Sequence, residues 1–204
     1  TVSITLKKKR ISPNVVKKIL NYCYNKGIIH LDTAFDYNFN LKLLGNRNWE
    51  IDTKIIINDD KKFLQKVTQK INSIISIKNI SIKTIYIHNP EKIFSRNGNL
   101  LINFLNNIKR FNFIKNIGIS VYDVSNMKKI LKRIDVDVVQ LPYNILDRRF
   151  EKYFKLIKNK KIKIYARSIF LQGVLTSTIK NKITRKKEIQ KFNYFLSKKN
   201  ISNI

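Results

Sequence analysis

The stretch GIIHLDTAFDY, residues 27–37, decides how this chain is read. Gly27 closes a helical pattern, Ile28 to Leu31 form a short run of strand character, and the run ends on Asp32 before a loop carrying Asp36 and Tyr37. A carboxylate and a phenol just past the carboxyl end of a strand are informative, because parallel α/β folds gather their chemistry there, on the loops that follow the strands. The arrangement recurs downstream. Lys54 sits within IDTKIII, residues 51–57, and His88 closes the strand-like part of IYIHNP, residues 85–90. Asp32, Tyr37, Lys54 and His88 are therefore the candidate catalytic set.

Outward from this stretch, short runs rich in β-branched residues alternate with segments of helical period, the pattern of repeated βα units around a parallel sheet. Ser12-Pro13 has the form of an N-cap followed by a first-turn proline, and Val15, Val16, Ile19, Leu20 and Cys23 then recur at helical spacing up to Gly27. Strands are predicted near Gly27–Thr33, Trp49–Ile55, Lys83–His88, Lys115–Val121, Val136–Leu141 and Ile162–Ser168. Helices are predicted near Lys61–Ile75, Leu100–Phe111, Ser125–Leu131, Phe150–Asn159 and Arg185–Lys198. Phe63, Val67, Ile71 and Ile74 should form the buried face of the first of these, and Leu101, Phe104, Leu105 and Ile108 that of the second.

No Pro/Gly/Ser-rich linker divides the 204 residues, which reads as one domain over 1–204. A closed barrel of parallel strands takes eight βα units and about 250 residues. The chain is short of that by about two units. Its opening TVSITLKKKR offers no clear first strand, and Asn200 to Ile204 read as a helix just beginning, so both ends look cut through a larger domain. The expected fold is α/β: a (β/α)8 TIM-type barrel, incomplete, lacking a clear first strand and the eighth βα unit.

The formal net charge is +29. Lys and Arg in such excess ordinarily suggest nucleic acid, because neutralising phosphates releases counterions. Here lysine is scattered over every predicted helix and loop and accompanies heavy use of Ile, Asn, Phe and Tyr, residues that share A/T-rich codons. Base bias accounts for the charge, and no specific nucleic-acid partner is expected. A positive field would still favour an anionic cofactor or substrate. The single Cys23 excludes an internal disulfide and reads as a packing residue, and two histidines supply no zinc-ligand spacing. No apolar run approaches the roughly 20 residues of a membrane span, and a signal peptide's apolar stretch is missing, so a cytoplasmic protein without a membrane partner is expected. Phe111 and Phe113 are expected in the core, His30 as an ordinary strand residue and Asp36 as a loop carboxylate.

The four candidates fit one chemistry. Reducing a carbonyl needs a hydride donor on one face and a proton donor at the oxygen, because the developing alkoxide must be neutralised as it forms. A phenol serves only if made more acidic than its reference value of about 10. A neighbouring ammonium favours the phenolate, and a carboxylate can hold that ammonium charged and in place. Asp32, Lys54 and Tyr37 supply these groups, and His88 would orient the carbonyl from a second direction.

On these residues the sequence resembles the aldo-keto reductases, with GIIHLDTAFDY matching the family's Gly-Ile-x-x-x-Asp-Thr-Ala-x-x-Tyr signature. The resemblance implies that the catalytic Asp, Tyr, Lys and His fall on Asp32, Tyr37, Lys54 and His88, with NADPH as hydride donor and a small-molecule carbonyl compound as substrate. KNIGISVYD, from Lys115, is similar to the fifth-strand motif and implies that Ser120 binds the nicotinamide carboxamide, with Val121 at the position of the family's Asn. VVQLPYN implies the same role for Gln140, and YARSIFLQGVL implies that Ser168 contacts the pyrophosphate and Arg167 stacks on the nicotinamide. Asp32 also belongs to the implied cofactor site. The wording ARSIFLQG is similar to a bacterial branch associated with sugar and surface-polysaccharide pathways.

Departures define the rival reading. After Tyr37 the chain reads Asn38-Phe39-Asn40-Leu41 where the family has Gly-Asn-Ser-Glu, and nothing follows Ile204 to supply the eighth strand and the adenosine 2′-phosphate site. A non-catalytic remnant of the same ancestry is the alternative, and a basic nucleic-acid-binding module a more distant one.

Overall fold

The computed structural model describes residues 2–3, 12–37 and 39–170. The chain divides into two compact units, Thr1–Val139 and Gln140–Ile204.

The first unit is built from parallel strands, each followed by a helical segment. Strand β1 is Val2–Ser3, a two-residue strand in the opening segment whose sequence offered no clear one. It pairs in parallel with β2, His30–Asp32. Between them lies helix α1, Pro13–Asn25, started by Ser12, whose side chain accepts from the Val15 N–H, and ended before Gly27 at φ 74°. Its buried face is Val16, Leu20 and Cys23. Strand β3, Trp49–Ile55, pairs with β2 and with β4, Ile80–Ile87. Helix α2, Phe63–Ile75, connects β3 to β4 and buries Phe63, Val67, Ile71 and Ile74 as its period predicts. Helix α3, Arg96–Arg110, leads to β5, Asn116–Ser120, which pairs with β4. Helix α4, Met127–Arg133, precedes β6, Val138–Pro142, whose first two residues lie in this unit.

One irregularity sets the faces of this sheet. Ile51 pairs with Ile82 but Asp52 with Thr84, so β4 carries one extra residue, Lys83, opposite β3. Paired residues of neighbouring strands point to the same face, and a one-residue slip turns every later side chain over. The bulge therefore brings Thr84 and Tyr86 to the face of Asp52 and Lys54.

The second unit, where described, holds the end of β6, a 3-10 turn at Glu151–Tyr153, helix α5, Phe154–Asn159, and β7, Lys163–Arg167. The Tyr143 N–H donates to the Arg167 carbonyl at 3.2 Å and the Asn144 amide to that of Ser168 at 3.2 Å. The six strands read from the sequence are all present, and the helix predicted near Arg185–Lys198 lies outside the described residues.

The expected core placement of Phe111 and Phe113 is not what the chain adopts. Both are exposed, at 63% and 55%. Helix α3 ends at Arg110, Phe111 is its C-cap, and Asn112 takes φ 60°, so the chain turns away before either ring reaches the sheet. The Arg110 guanidinium covers the Phe111 ring instead, 5.1 Å from its centroid.

Candidate active site

Lys54 lies in β3 with its side chain only 4% exposed. A buried ammonium needs both charge compensation and acceptors. Asp32, at the end of β2, gives a carboxylate oxygen hydrogen-bonded to Lys54 Nζ, and the Thr33 carbonyl accepts from the same nitrogen at 3.1 Å. The backbone repeats the connection, since the Thr33 N–H donates to the Asp52 carbonyl at 2.8 Å and the Phe35 N–H to the Lys54 carbonyl at 3.2 Å. The loop after β2 is thus fastened to β3 on both sides of the Lys54 side chain. Tyr37 follows two residues later, its N–H donating to the Ala34 carbonyl at 3.0 Å and its side chain 36% exposed.

His88 begins the loop after β4, with its N–H donating to the Ile55 carbonyl at 2.8 Å. The adjoining Asn89 side chain clamps the loop after β3, accepting from the Ile57 N–H and donating to the Ile57 carbonyl, each at 2.8 Å. The His88 ring is fixed by a residue that sequence reasoning did not single out: its Nε2 lies 2.9 Å from the Tyr122 hydroxyl, with the rings edge to face at 5.7 Å. Tyr122 stands two residues beyond Ser120 on the loop after β5, which is the signal that could have found it. Strand-end loops carry the site, and the loop after β5 offers one more phenol.

A second polar layer lies one step down the strands from Asp32 and Lys54. Asp52, fully buried, has one oxygen 2.9 Å from His30 Nε2 and accepts from the Tyr86 hydroxyl at 3.3 Å on the other. His30 is a strand residue, as expected, but one that contacts a buried carboxylate. At the opposite end of β3, Glu50 bonds Lys83 at 2.5 Å and Lys115 at 2.9 Å, and these two ammonium groups hold its carboxyl down at about 2. Asp36 is an exposed loop carboxylate 3.7 Å from Lys70.

Ser120, at the end of β5, is fully buried, and Val121 beside it is an apolar buried residue without an amide. In the second unit Gln140 is buried in β6, Arg167 ends β7 half-buried, and Ser168 follows, exposed, in the left-handed region at φ 56°. There the Glu151 carboxylate accepts from the Tyr143 hydroxyl at 2.6 Å and from Arg148 Nε at 2.6 Å, which raises the Tyr143 phenol and lowers Glu151 from their ordinary values. Among the described residues no three His, Cys, Asp or Glu side chains are placed to hold a metal ion. No helix among them is long and apolar enough to cross a membrane.

Solved structures of similar fold are aldo-keto reductases. The holo form of aldo-keto reductase AKR11C1 from Bacillus halodurans superposes with a TM-score of 0.68 at 22% identity, over 84% of this chain and 62% of that one. Its apo form gives 0.64 at 24%, over 82% and 59%. A mutant of Gox0644 in complex with NADPH gives 0.58 at 14%, over 92% and 68%. The chain thus spans about three fifths of the length of the Bacillus halodurans protein. A comparison with curated proteins finds no match. The fold is that of an incomplete (β/α)8 barrel, and the family model described as aldo/keto reductase family matches residues 1–201. The chain belongs to the aldo/keto reductase family.

Proposed function

We propose that this protein is an NADPH-dependent oxidoreductase that reduces the carbonyl of a small aldehyde or ketone, in the cytoplasm, with Tyr37 as general acid. One observation carries the reading: a buried ammonium, Lys54, is held between the Asp32 carboxylate and the Thr33 carbonyl at the root of the loop that bears Tyr37. Tyr37 gives its phenolic proton to the substrate oxygen as negative charge develops there, and Lys54 stabilises the phenolate left behind. Asp32 holds the ammonium in place. His88 donates to the same oxygen and orders the carbonyl for attack.

NADPH, when bound, supplies the hydride. Ser120, at the end of β5, offers a buried hydroxyl, and Gln140, within β6, a buried amide, each of a kind that bonds a carboxamide. Arg167 offers a planar cation for stacking or anion pairing, and Ser168 a hydroxyl for the pyrophosphate. Val121 has no side-chain amide, so the carboxamide would be held with one amide fewer than in the family pattern. The excess of cationic side chains favours an anionic nucleotide. The ARSIFLQG wording points to a sugar-related carbonyl compound as substrate.

The test is transfer of label from 4-deuterated NADPH to the carbonyl carbon of a panel of aldehydes and ketones that includes aldoses, with NADH run in parallel. Deuterium in the product alcohol is expected with NADPH. A folded chain that transfers none from either nucleotide is a non-catalytic remnant.

A further inference from the structure

The layer beneath the Asp32–Lys54 pair has no role in the mechanism above, yet it is built from polar groups withdrawn from water. Asp52 and Tyr86 are fully buried, and His30 meets Asp52 at 2.9 Å. Burying such groups is costly unless they are mutually satisfied, so an apolar layer would be the simpler filling. The bulge at Lys83 puts Tyr86 in register with Lys54 on one side and with Gly118 on the other. The Lys54 ammonium lies over the Tyr86 ring, 5.7 Å from its centroid, inside the roughly 6 Å at which a cation is drawn to an aromatic face. Tyr86 cannot tilt freely: its hydroxyl is tied to Asp52 at 3.3 Å, and a β-carbon on Gly118 would stand 2.5 Å from its ring.

We propose that Tyr86, anchored by Asp52 and His30 and given room by Gly118, is a positioning residue that fixes where the Lys54 ammonium lies. The proposal rests on the reading of Lys54 as the cation that stabilises the Tyr37 phenolate. Lysine has a long flexible stem, and Asp32 and Thr33 hold only its tip. The ring supplies the third side of its seat. Electrostatic stabilisation falls with distance, so the seat determines how much negative charge Tyr37 can carry as it gives up its proton.

The first measurement needs no turnover. In the NMR spectrum of the full chain, the Lys54 ε-methylene protons should be displaced upfield by the Tyr86 ring current and show Overhauser contacts to the Tyr86 ring protons. Tyr86→Phe, which keeps the ring and loses the Asp52 bond, should keep part of the displacement, and Tyr86→Leu should abolish it. Gly118→Ala should alter it with Tyr86 still in place. An unmoved Lys54 signal in Tyr86→Leu overturns the proposal, and if that variant does not fold, absence of the Overhauser contacts in the unaltered chain does so. With an aldehyde and NADPH, Tyr86→Leu should lower kcat about tenfold at unchanged KM for NADPH, and Tyr86→Phe should restore part of it. A loss that Phe fails to restore would make Tyr86 a structural residue only. A chain that never reduces a carbonyl fails the functional reading while the NMR result still decides the seat.

Discussion

Lys54 and Asp32 form a hydrogen-bonded ion pair across two adjacent parallel strands, with side chains only 4% and 12% exposed. The two partners are not equivalent. Asp32 retains some contact with water, whereas Lys54 depends almost wholly on Asp32 and the Thr33 carbonyl. Removing one member of a buried pair costs about 3–5 kcal/mol, chiefly through the charge left behind. Asp32→Ala should therefore destabilise the chain by roughly that amount, and Lys54→Met, which buries an apolar stem of similar shape, by clearly less. Urea unfolding of the two variants checks the order, and equal losses would mean that the ammonium finds another acceptor.

Tyr37 is separable from that pair because its side chain stands at the surface of the loop, 36% exposed, and its replacement leaves no buried charge. Tyr37→Phe keeps the ring and removes the proton. Turnover of an aldehyde should fall by about 10²–10⁴, the usual contribution of a positioned general acid, with affinity for NADPH nearly unchanged. Single-turnover kinetics and a fluorescence titration measure the two quantities. Undiminished turnover would take Tyr37 out of the mechanism.

How far the sequence could be read differs along the chain for physical reasons. Strand β3 occupies Trp49–Ile55 as expected, because a run buried on both faces announces itself without regard to partners. Strand β4 begins at Ile80, ahead of the expected Lys83, since its first half alternates buried with more exposed residues and only its second half is continuously buried. Helix α3 begins at Arg96, not Leu100, because the Ser95 side chain accepts from the Gly98 N–H and starts a helix through residues, Asn97 to Asn99, that resemble a loop. The placement of Asp32, Lys54 and His88 at or near strand ends was legible. The contacts of His30 with Asp52, of Tyr86 with Lys54 and of Tyr122 with His88 were not, since they depend on register between strands far apart in sequence and on a bulge that no local pattern reports.

Glu50 makes stability depend on acid. Hydrogen bonds from Lys83 and Lys115 lower its carboxyl from 4.5 to about 2 in the folded chain. The folded state thus binds this proton less readily than the unfolded one, so the stabilisation is full above about 4.5 and is lost as pH falls toward about 2. Lys115 is 64% exposed, which screens its share, and the pair of bonds should be worth on the order of 1–2 kcal/mol. Glu50→Gln should be less stable than the parent by that amount near neutral pH. The gap should close between the two values and narrow in high salt. Chemical denaturation of both chains across this pH range measures it, and a gap independent of pH would mean that the Glu50 carboxylate is not what the lysines stabilise.

The bond between Tyr122 and His88 bears on substrate binding. It engages His88 Nε2 at 2.9 Å, and a nitrogen so engaged must share or give up that bond when a carbonyl oxygen approaches from the same side. Tyr122→Phe removes the hydroxyl and keeps the ring edge that packs at 5.7 Å, so His88 should hold its place. If the hydroxyl competes with substrate, the variant should show a KM for the carbonyl compound lowered about fivefold, since exchanging a neutral hydrogen bond of this kind is worth about 1 kcal/mol. The kcat should stay close to that of the parent, because Tyr37, the proposed proton donor, is unaltered. His88→Gln in the same background should then abolish the gain, which ties the effect to the ring nitrogen and not to a wider pocket. A raised KM in Tyr122→Phe would give the opposite answer: the hydroxyl would be a second donor to the carbonyl oxygen, acting beside His88 in binding substrate.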